Sequence, residues 1–181
     1  VIPPSAATSL TYEDPNAQAC TQVISSNLML RRCDADWIAC TTIDIIAPEK
    51  EKFLDFINKC SKDTFYTVSR RDFEIEELEN YGFDKWKEYR NHLDSISQPR
   101  FFPAKVTPND EYSLINCCGD FQMATRKIWH DVKGMEEDLI YALYADTNVQ
   151  KKAVMHGYKL KAIYNPPFFH INHGKGGGGF L

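Results

Sequence analysis

The sequence predicts an α/β fold: a mixed, mostly parallel sheet flanked by helices. Two patterns and one bound predict it. Short apolar runs of strand length alternate along the chain with stretches of helical periodicity. Helix-starting and helix-stopping residues punctuate that alternation. A length of 181 residues, 43% of them hydrophobic, suits one domain that buries a core of its own. The expected layout is a single domain over 1–174 and a flexible Gly-rich tail over 175–181.

The elements follow in order. Asp14-Pro15 combines an N-cap carboxylate with proline at the first helical position, so a helix is expected from there to about Arg32. Ala19, Val23, Ile24 and Leu28 mark its apolar side. Trp37 to Thr41 is a strand-length apolar run, with Asp44 just past its carboxyl end. Pro48 opens a second helix whose apolar face is Phe53, Leu54, Ile57 and Cys60. Phe65 to Val68 reads as a strand. The span from Arg71 to Pro108 is charged and weakly periodic; Glu76 to Tyr89 is expected to be helical, and Pro99 to Pro108 a loop. Leu114 to Ala124 reads as a strand interrupted at Gly119, and a short helix near Ile128–Lys133 ends at Gly134. Asp146-Thr147 caps a further helix that ends at Gly157. Lys159 to Tyr164 is a strand, stopped by Asn165-Pro166-Pro167.

Composition narrows the function. The net charge is −4 and only Arg31-Arg32 and Arg70-Arg71 form arginine pairs, which argues against nucleic acid as a partner. No apolar run approaches the roughly 20 residues that span a bilayer, so no membrane span is expected. The six cysteines include the adjacent Cys117 and Cys118 and no CxxC pair; they read as reduced core thiols, which favours a cytoplasmic setting.

Three constellations can carry chemistry. Asp44 stands where a strand ends, the place where parallel sheets bind ligands, and a carboxylate there can hold a divalent cation on a diphosphate. A lone Asp in that position is more often a turn or helix cap. His170 and His173 can share a metal, or can be ordinary loop histidines. Asp146 lies at a helix N-terminus, where the dipole favours negative charge and a carboxylate can take a hydroxyl proton; simple capping is the plainer role. Glu137 with Asp146 forms a second carboxylate pairing.

Together these segments resemble GT-A glycosyltransferases, specifically family-2-like enzymes related to the galactosyltransferase carboxyl-terminal domain. Asn27 to Arg32 followed by Trp37 to Ile45 is similar to a helix carrying N-x-G-I-R-R-A that leads to a strand ending in T-N-x-D-I. Phe65 to Asp72 resembles the family's Y-R-x-D-R-x-D strand, and Gly119-Asp120-Phe121 its S-G-D-F. Trp129 and Gly134 match W-x-x-x-x-G, Asp146-Thr147 stands at its L-D-S, and His170 to His173 mirrors H-I-E-H.

The resemblance implies a GT-A-like fold and transfer of a sugar from a nucleotide-diphosphate donor, a UDP-sugar, to a hydroxyl of a glycan, protein or lipid, with inversion. Asp44 would hold Mn²⁺ with His170 or His173. Asp146 would deprotonate the acceptor, with Glu137 as a further acidic candidate. Asn27, Thr42, Arg70, Gly119, Asp120 and Trp129 would line the donor and acceptor sites. Two departures bear on this. Thr42 replaces the first acidic residue of a DxD-type motif, and Val1-Ile2-Pro3-Pro4 resembles a V-P-P stretch that follows the nucleotide-binding strands. The fold is therefore expected to be N-terminally incomplete, with an upstream segment or a partner chain completing the donor site. A catalytically degenerate module that binds a glycan or a protein is the alternative.

Overall fold

The computed structural model describes residues 21–74, 85–99, 119–138 and 145–172. In chain order the elements are α1 (Thr21–Arg32), β1 (Trp37–Thr41), β2 (Ile45–Ile46), α2 (Lys50–Asn58), β3 (Thr64–Val68), β4 (Arg71–Glu74), α3 (Trp86–Ile96), β5 (Gln98–Pro99), β6 (Phe121–Thr125), α4 (Arg126–Asp131), α5 (Ala145–Met155), β7 (Lys159–Ile163) and β8 (Phe169–Asn172). The strands form two mixed four-stranded sheets, ordered β1-β6-β3-β7 and β2-β8-β4-β5.

Helices cover both faces of the first sheet, because alternate side chains of its strands feed two separate cores. On one face Ile38, Cys40, Phe65, Ala124, Leu160 and Ala162 pack with Val23 and Leu30 of α1, Ile128 and Trp129 of α4, and Val149 and Ala153 of α5. On the other, Tyr66, Val68, Phe121, Met123 and Ile163 meet Phe53, Phe56 and Ile57 of α2. Strands β3 and β6 are buried along their whole length, as central strands must be. The second sheet has its own small core, in which Phe73 and Phe169 pack on Tyr89 and Leu93 of α3. Burying each such aromatic side chain contributes roughly 2–3 kcal/mol.

The α/β class holds, and the sheets are mixed. Among the described residues, however, only β3–β7 and β4–β8 pair in parallel; β1–β6, β3–β6, β2–β8 and β4–β5 are antiparallel. Alternation along the chain does not reveal that β6 inserts between β1 and β3 running opposite to both.

Several boundaries shift as well. Of the helix expected at Glu76–Tyr89, residues 76–84 lie outside the described residues; α3 spans Trp86–Ile96 and overlaps its last four positions. Asp14, Pro15 and Ala19 lie outside them too, and the buried stripe of α1 is Val23, Asn27 and Leu30, spaced i, i+4, i+7. In α2, Leu54 is exposed and Phe56 takes its place on the buried side. Four strands went unread: β2 and β5 are too short for a pattern, and β4 and β8 are rich in charged and polar residues. Pro99 pairs in β5, while 100–118 and the tail lie outside the described residues. No helix among the described residues is long and apolar enough to cross a membrane.

The α4 turn shows how local chemistry fixes an end. Thr125 caps its first turn by accepting from the Ile128 N–H. At its far end Lys133 (φ 58°) and Gly134 (φ 64°) turn left-handed, and the Gly134 N–H donates back to the Trp129 carbonyl at 2.9 Å. Glycine is required at 134, because a Cβ there would stand 2.3 Å from Asn27 Oδ1.

Candidate functional site

Three strands leave the first sheet at the same end and re-pair at once in the second. β1 continues through Thr42-Ile43-Asp44 into β2, β3 through Ser69-Arg70 into β4, and β7 through residues 164–168 into β8. β6 enters at that end, preceded by Gly119-Asp120. Register locks the junction: the Thr42 N–H donates to the Asp120 carbonyl at 2.9 Å, and the Ile171 N–H to the Asp44 carbonyl at 3.2 Å. Polar side chains from four separate segments therefore meet where the two sheets join.

Their side chains form a continuous polar chain. His170 Nε2 lies 3.2 Å from Asp44 Oδ2, and His170 Nδ1 lies 3.2 Å from Asp72 Oδ1. Asp72 Oδ1 is also 2.9 Å from Arg70 Nε, and Arg70 Nη1 pairs with Asp120 Oδ2. The imidazole is 6% exposed, and Arg70 is 10% exposed, while the three aspartates are each about a fifth exposed, so the chain runs just beneath the surface. In such surroundings paired charges interact more strongly than at an open surface, and unpairing them is costly.

The far end of this chain meets Asp146. A Cβ on Gly119 would stand 2.2 Å from Asp146 Cβ, so the absence of a side chain there lets the strand approach the first turn of α5. The wholly buried Gln122 donates from Nε2 to the Asp146 carbonyl at 3.1 Å and fixes that turn to β6. Thr42 Oγ1 is buried and has no hydrogen-bond partner among the described residues. Ile43 projects fully into solvent beside it.

The structure thus brings together Asp44, His170, Arg70, Asp120, Gly119, Asp146 and Thr42. It places three others in a different role. Asn27 is buried in α1; its Nδ2 donates to the Met135 carbonyl (2.8 Å) and Glu137 Oε1 (2.9 Å), and its Oδ1 accepts from the Met135 N–H (2.9 Å). Glu137 also pairs with Arg31 at 2.6 Å on a part-exposed surface. Trp129 is a core residue: its indole N–H donates to the Ile38 carbonyl at 3.1 Å and its ring packs edge-on against Phe65 at 5.0 Å. These residues hold α1, α4 and the 134–137 turn together, near the beginning of β1 rather than its end. His173 lies outside the described residues.

Two residues of the cluster were not singled out from sequence, Asp72 and Gln122. The signal for Asp72 was its two-residue spacing from Arg70, which puts both on one side of an extended chain. For Gln122 it was a polar residue inside an otherwise apolar strand.

The donor set suits a hard or borderline divalent cation. Ligands of one ion at about 2.1 Å, set at right angles, stand about 3 Å apart, close to the Asp44–His170 separation. A carboxylate beside the other ring nitrogen, as Asp72 is, recurs behind metal-bound histidines. Among the described residues no three His, Cys, Asp or Glu side chains group as metal ligands, so Asp44 and His170 would need oxygens from elsewhere. Of the cysteines described, Cys40 is buried and its thiol is pushed up to about 11 by burial; Cys33 and Cys60 are half-buried, and all three are free thiols.

Compared with known proteins, the chain matches no family model and no curated protein sequence.

Proposed function

We propose that this chain is a GT-A-type glycosyltransferase module that moves a sugar from a nucleotide-diphosphate donor, a UDP-sugar, to a hydroxyl acceptor with inversion. One observation carries the reading. Asp44 and His170, 126 residues apart in sequence, meet at 3.2 Å, and the Asp72–Arg70–Asp120 chain links them to the strand that packs on Asp146. Five of the residues that the family resemblance picks out along the chain, Asp44, Arg70, Asp120, Asp146 and His170, therefore stand around one junction, whereas Asn27 and Trp129 do not.

In this reading Asp44 and His170 would hold a Mn²⁺ ion. The ion supplies charge stabilisation for the departing diphosphate. Thr42, with its buried hydroxyl, offers a hydrogen bond at the same edge. Arg70 keeps Asp120 in place beside the sugar. Asp146, fixed by Gln122 and by the close approach of Gly119, takes the proton of the acceptor hydroxyl as its oxygen attacks the anomeric carbon. The new C–O bond forms on the face opposite the breaking bond to the diphosphate, which inverts the centre.

The test has two readouts. Calorimetric titration with UDP and Mn²⁺ should show nucleotide binding that depends on the metal. Asp146→Asn should keep that binding and lose transfer by at least about 10²-fold. Unchanged turnover in Asp146→Asn removes the assigned base. The substitution of Thr42 for an acidic residue favours a second reading, a degenerate module that holds a glycan or a protein, and absence of metal-dependent nucleotide binding would select it.

A further inference from the structure

Strand β8 sits between β2 and β4, and this order decides what flanks the His170 ring. In the ladder His170 is opposite Ile45, the residue after Asp44, on one side and opposite Asp72 on the other. Register puts Asp72 on the same face as His170, and Asp44 reaches the ring from the turn just before β2, so the imidazole lies between two carboxylates, one per ring nitrogen. Nε2 faces Asp44 at 3.2 Å and Nδ1 faces Asp72 at 3.2 Å. The Nδ1 approach has hydrogen-bond length without hydrogen-bond alignment.

Asp72 is itself held. Arg70 Nε lies 2.9 Å from it, and the same guanidinium reaches Asp120 with Nη1. With the Arg70 side chain only 10% exposed, its two carboxylate partners determine where the guanidinium rests, and it in turn limits where Asp72 can go. The sequence reading and the proposed mechanism leave Asp72 without a role.

We propose that Asp72 is the positioning residue of His170: held by Arg70, it orients the imidazole so that Nε2 stays beside Asp44, ready for a divalent cation. This rests on the metal-dependent transferase reading above. The general reason is that a ring nitrogen engaged by a carboxylate fixes both the ring plane and which nitrogen remains for the metal. Without Asp72 the carboxylate beside Nδ1 is lost, and the hold on the Asp44–Nε2 spacing weakens.

The experiment compares wild type, Asp72→Asn and Asp72→Glu. Manganese affinity is measured by electron paramagnetic resonance with UDP present, and imidazole nitrogen coordination by electron spin-echo modulation of the bound Mn²⁺. Circular dichroism melting confirms the fold. Expected are a 10–100-fold weaker Mn²⁺ affinity and a diminished nitrogen signal at saturating metal in Asp72→Asn. In Asp72→Glu, which keeps the charge, affinity should return to within several-fold of wild type. Wild-type affinity and nitrogen coupling in Asp72→Asn overturn the positioning role and leave the transferase reading standing. An affinity loss in Asp72→Glu as large as in Asp72→Asn also overturns it, because charge at this position would then not matter. Wild type that binds no Mn²⁺ brings down the metal reading and this inference together. Wild type that binds Mn²⁺ without nitrogen coupling removes His170, and with it Asp72, from the site.

Discussion

Asn27→Ala separates a structural role from a ligand-binding one, because the family resemblance would put Asn27 near the donor while the structure uses it as a clamp. The amide makes three hydrogen bonds to the 135–137 segment, two of them to the buried backbone of Met135. Truncation leaves the Met135 N–H and C=O without that partner, and a buried unsatisfied polar group costs about 1–3 kcal/mol. Glu137 keeps Arg31, so its loss adds little. A pocket of about 240 Å³ lined by Asn27, Leu30, Arg31 and Lys133 opens beside the clamp and can admit water, which lowers the cost. The expected destabilisation is therefore about 2–4 kcal/mol. For a chain of this size that lowers Tm by about 5–15 °C. Asn27→Asp should fare no better at neutral pH, since it sets a carboxylate oxygen against the Met135 carbonyl and Glu137. The assay is thermal and urea unfolding followed by circular dichroism, with UDP and Mn²⁺ titration on the folded variant. A Tm unchanged within 2 °C, together with lost nucleotide affinity, would refute the clamp and return Asn27 to the donor site.

Gly119→Ala forces a methyl group to within 2.2 Å of Asp146 Cβ, so either the strand or the first turn of α5 must move. Transfer should fall by about 10²-fold, the usual cost of misplacing a reacting group by about 1 Å, and wild-type turnover would show the contact to be relaxed in solution. Arg70→Met leaves Asp72 and Asp120 near each other with no cation between them; a loss of about 3 kcal/mol in urea unfolding is expected, and less than 1 kcal/mol would argue against the pairing. Asp63 is held down to about 2, first by the Ser61 hydroxyl and then by Lys159 and Thr64. A lowered folded-state pKa adds stability that is fully present above the unfolded value near 3.8 and is lost as pH falls through about 2. Unfolding of wild type against Asp63→Asn should therefore differ at pH 6 and the gap should shrink steadily as pH falls from 4 through 2; a gap at pH 2 as large as at pH 6 contradicts this.

What the sequence displayed and what it hid divide along physical lines. Strands β1, β3 and β7 and helices α2, α4 and α5 were legible because each carries a core-facing pattern or a sharp stop, such as Gly134 and Gly157. Strands β4 and β8 were not, because polar residues interrupt their apolar pattern: Arg71 and Asp72 in one, His170 and Asn172 in the other, of which Asp72 and His170 belong to the site. A charged strand reads as a loop until its partners are known. Asp44 was legible as a candidate from its place after a strand, whereas Asp72, within the same structural neighbourhood, was hidden by the arginines around it. Asn27, Glu137 and Trp129 gave the opposite error. The family resemblance marked Asn27 and Trp129 as ligand-side residues and Glu137 was an acidic candidate beside Asp146, whereas their hydrogen bonds close the end of the first sheet where β1 begins.

The two groups together explain why this arrangement tolerates a site so dense in acidic residues. The strongly apolar strands of the first sheet supply the burial, with β3 and β6 covered on both faces. Strands β2, β4 and β8 of the second sheet inherit fixed positions from them, because each continues a strand of the first after a handful of residues. Asp44, Asp72 and Asp120 can therefore be held close around one guanidinium and one imidazole without the second sheet having to be stable by itself. Like charges gathered in this way favour any ligand that brings positive charge, and a divalent cation neutralises more of them per site than a side chain can. If that is the logic, Mn²⁺ should raise the melting temperature of the wild type and do so less when Asp44 or His170 is replaced. A rise that is the same in Asp44→Asn would place the cation elsewhere.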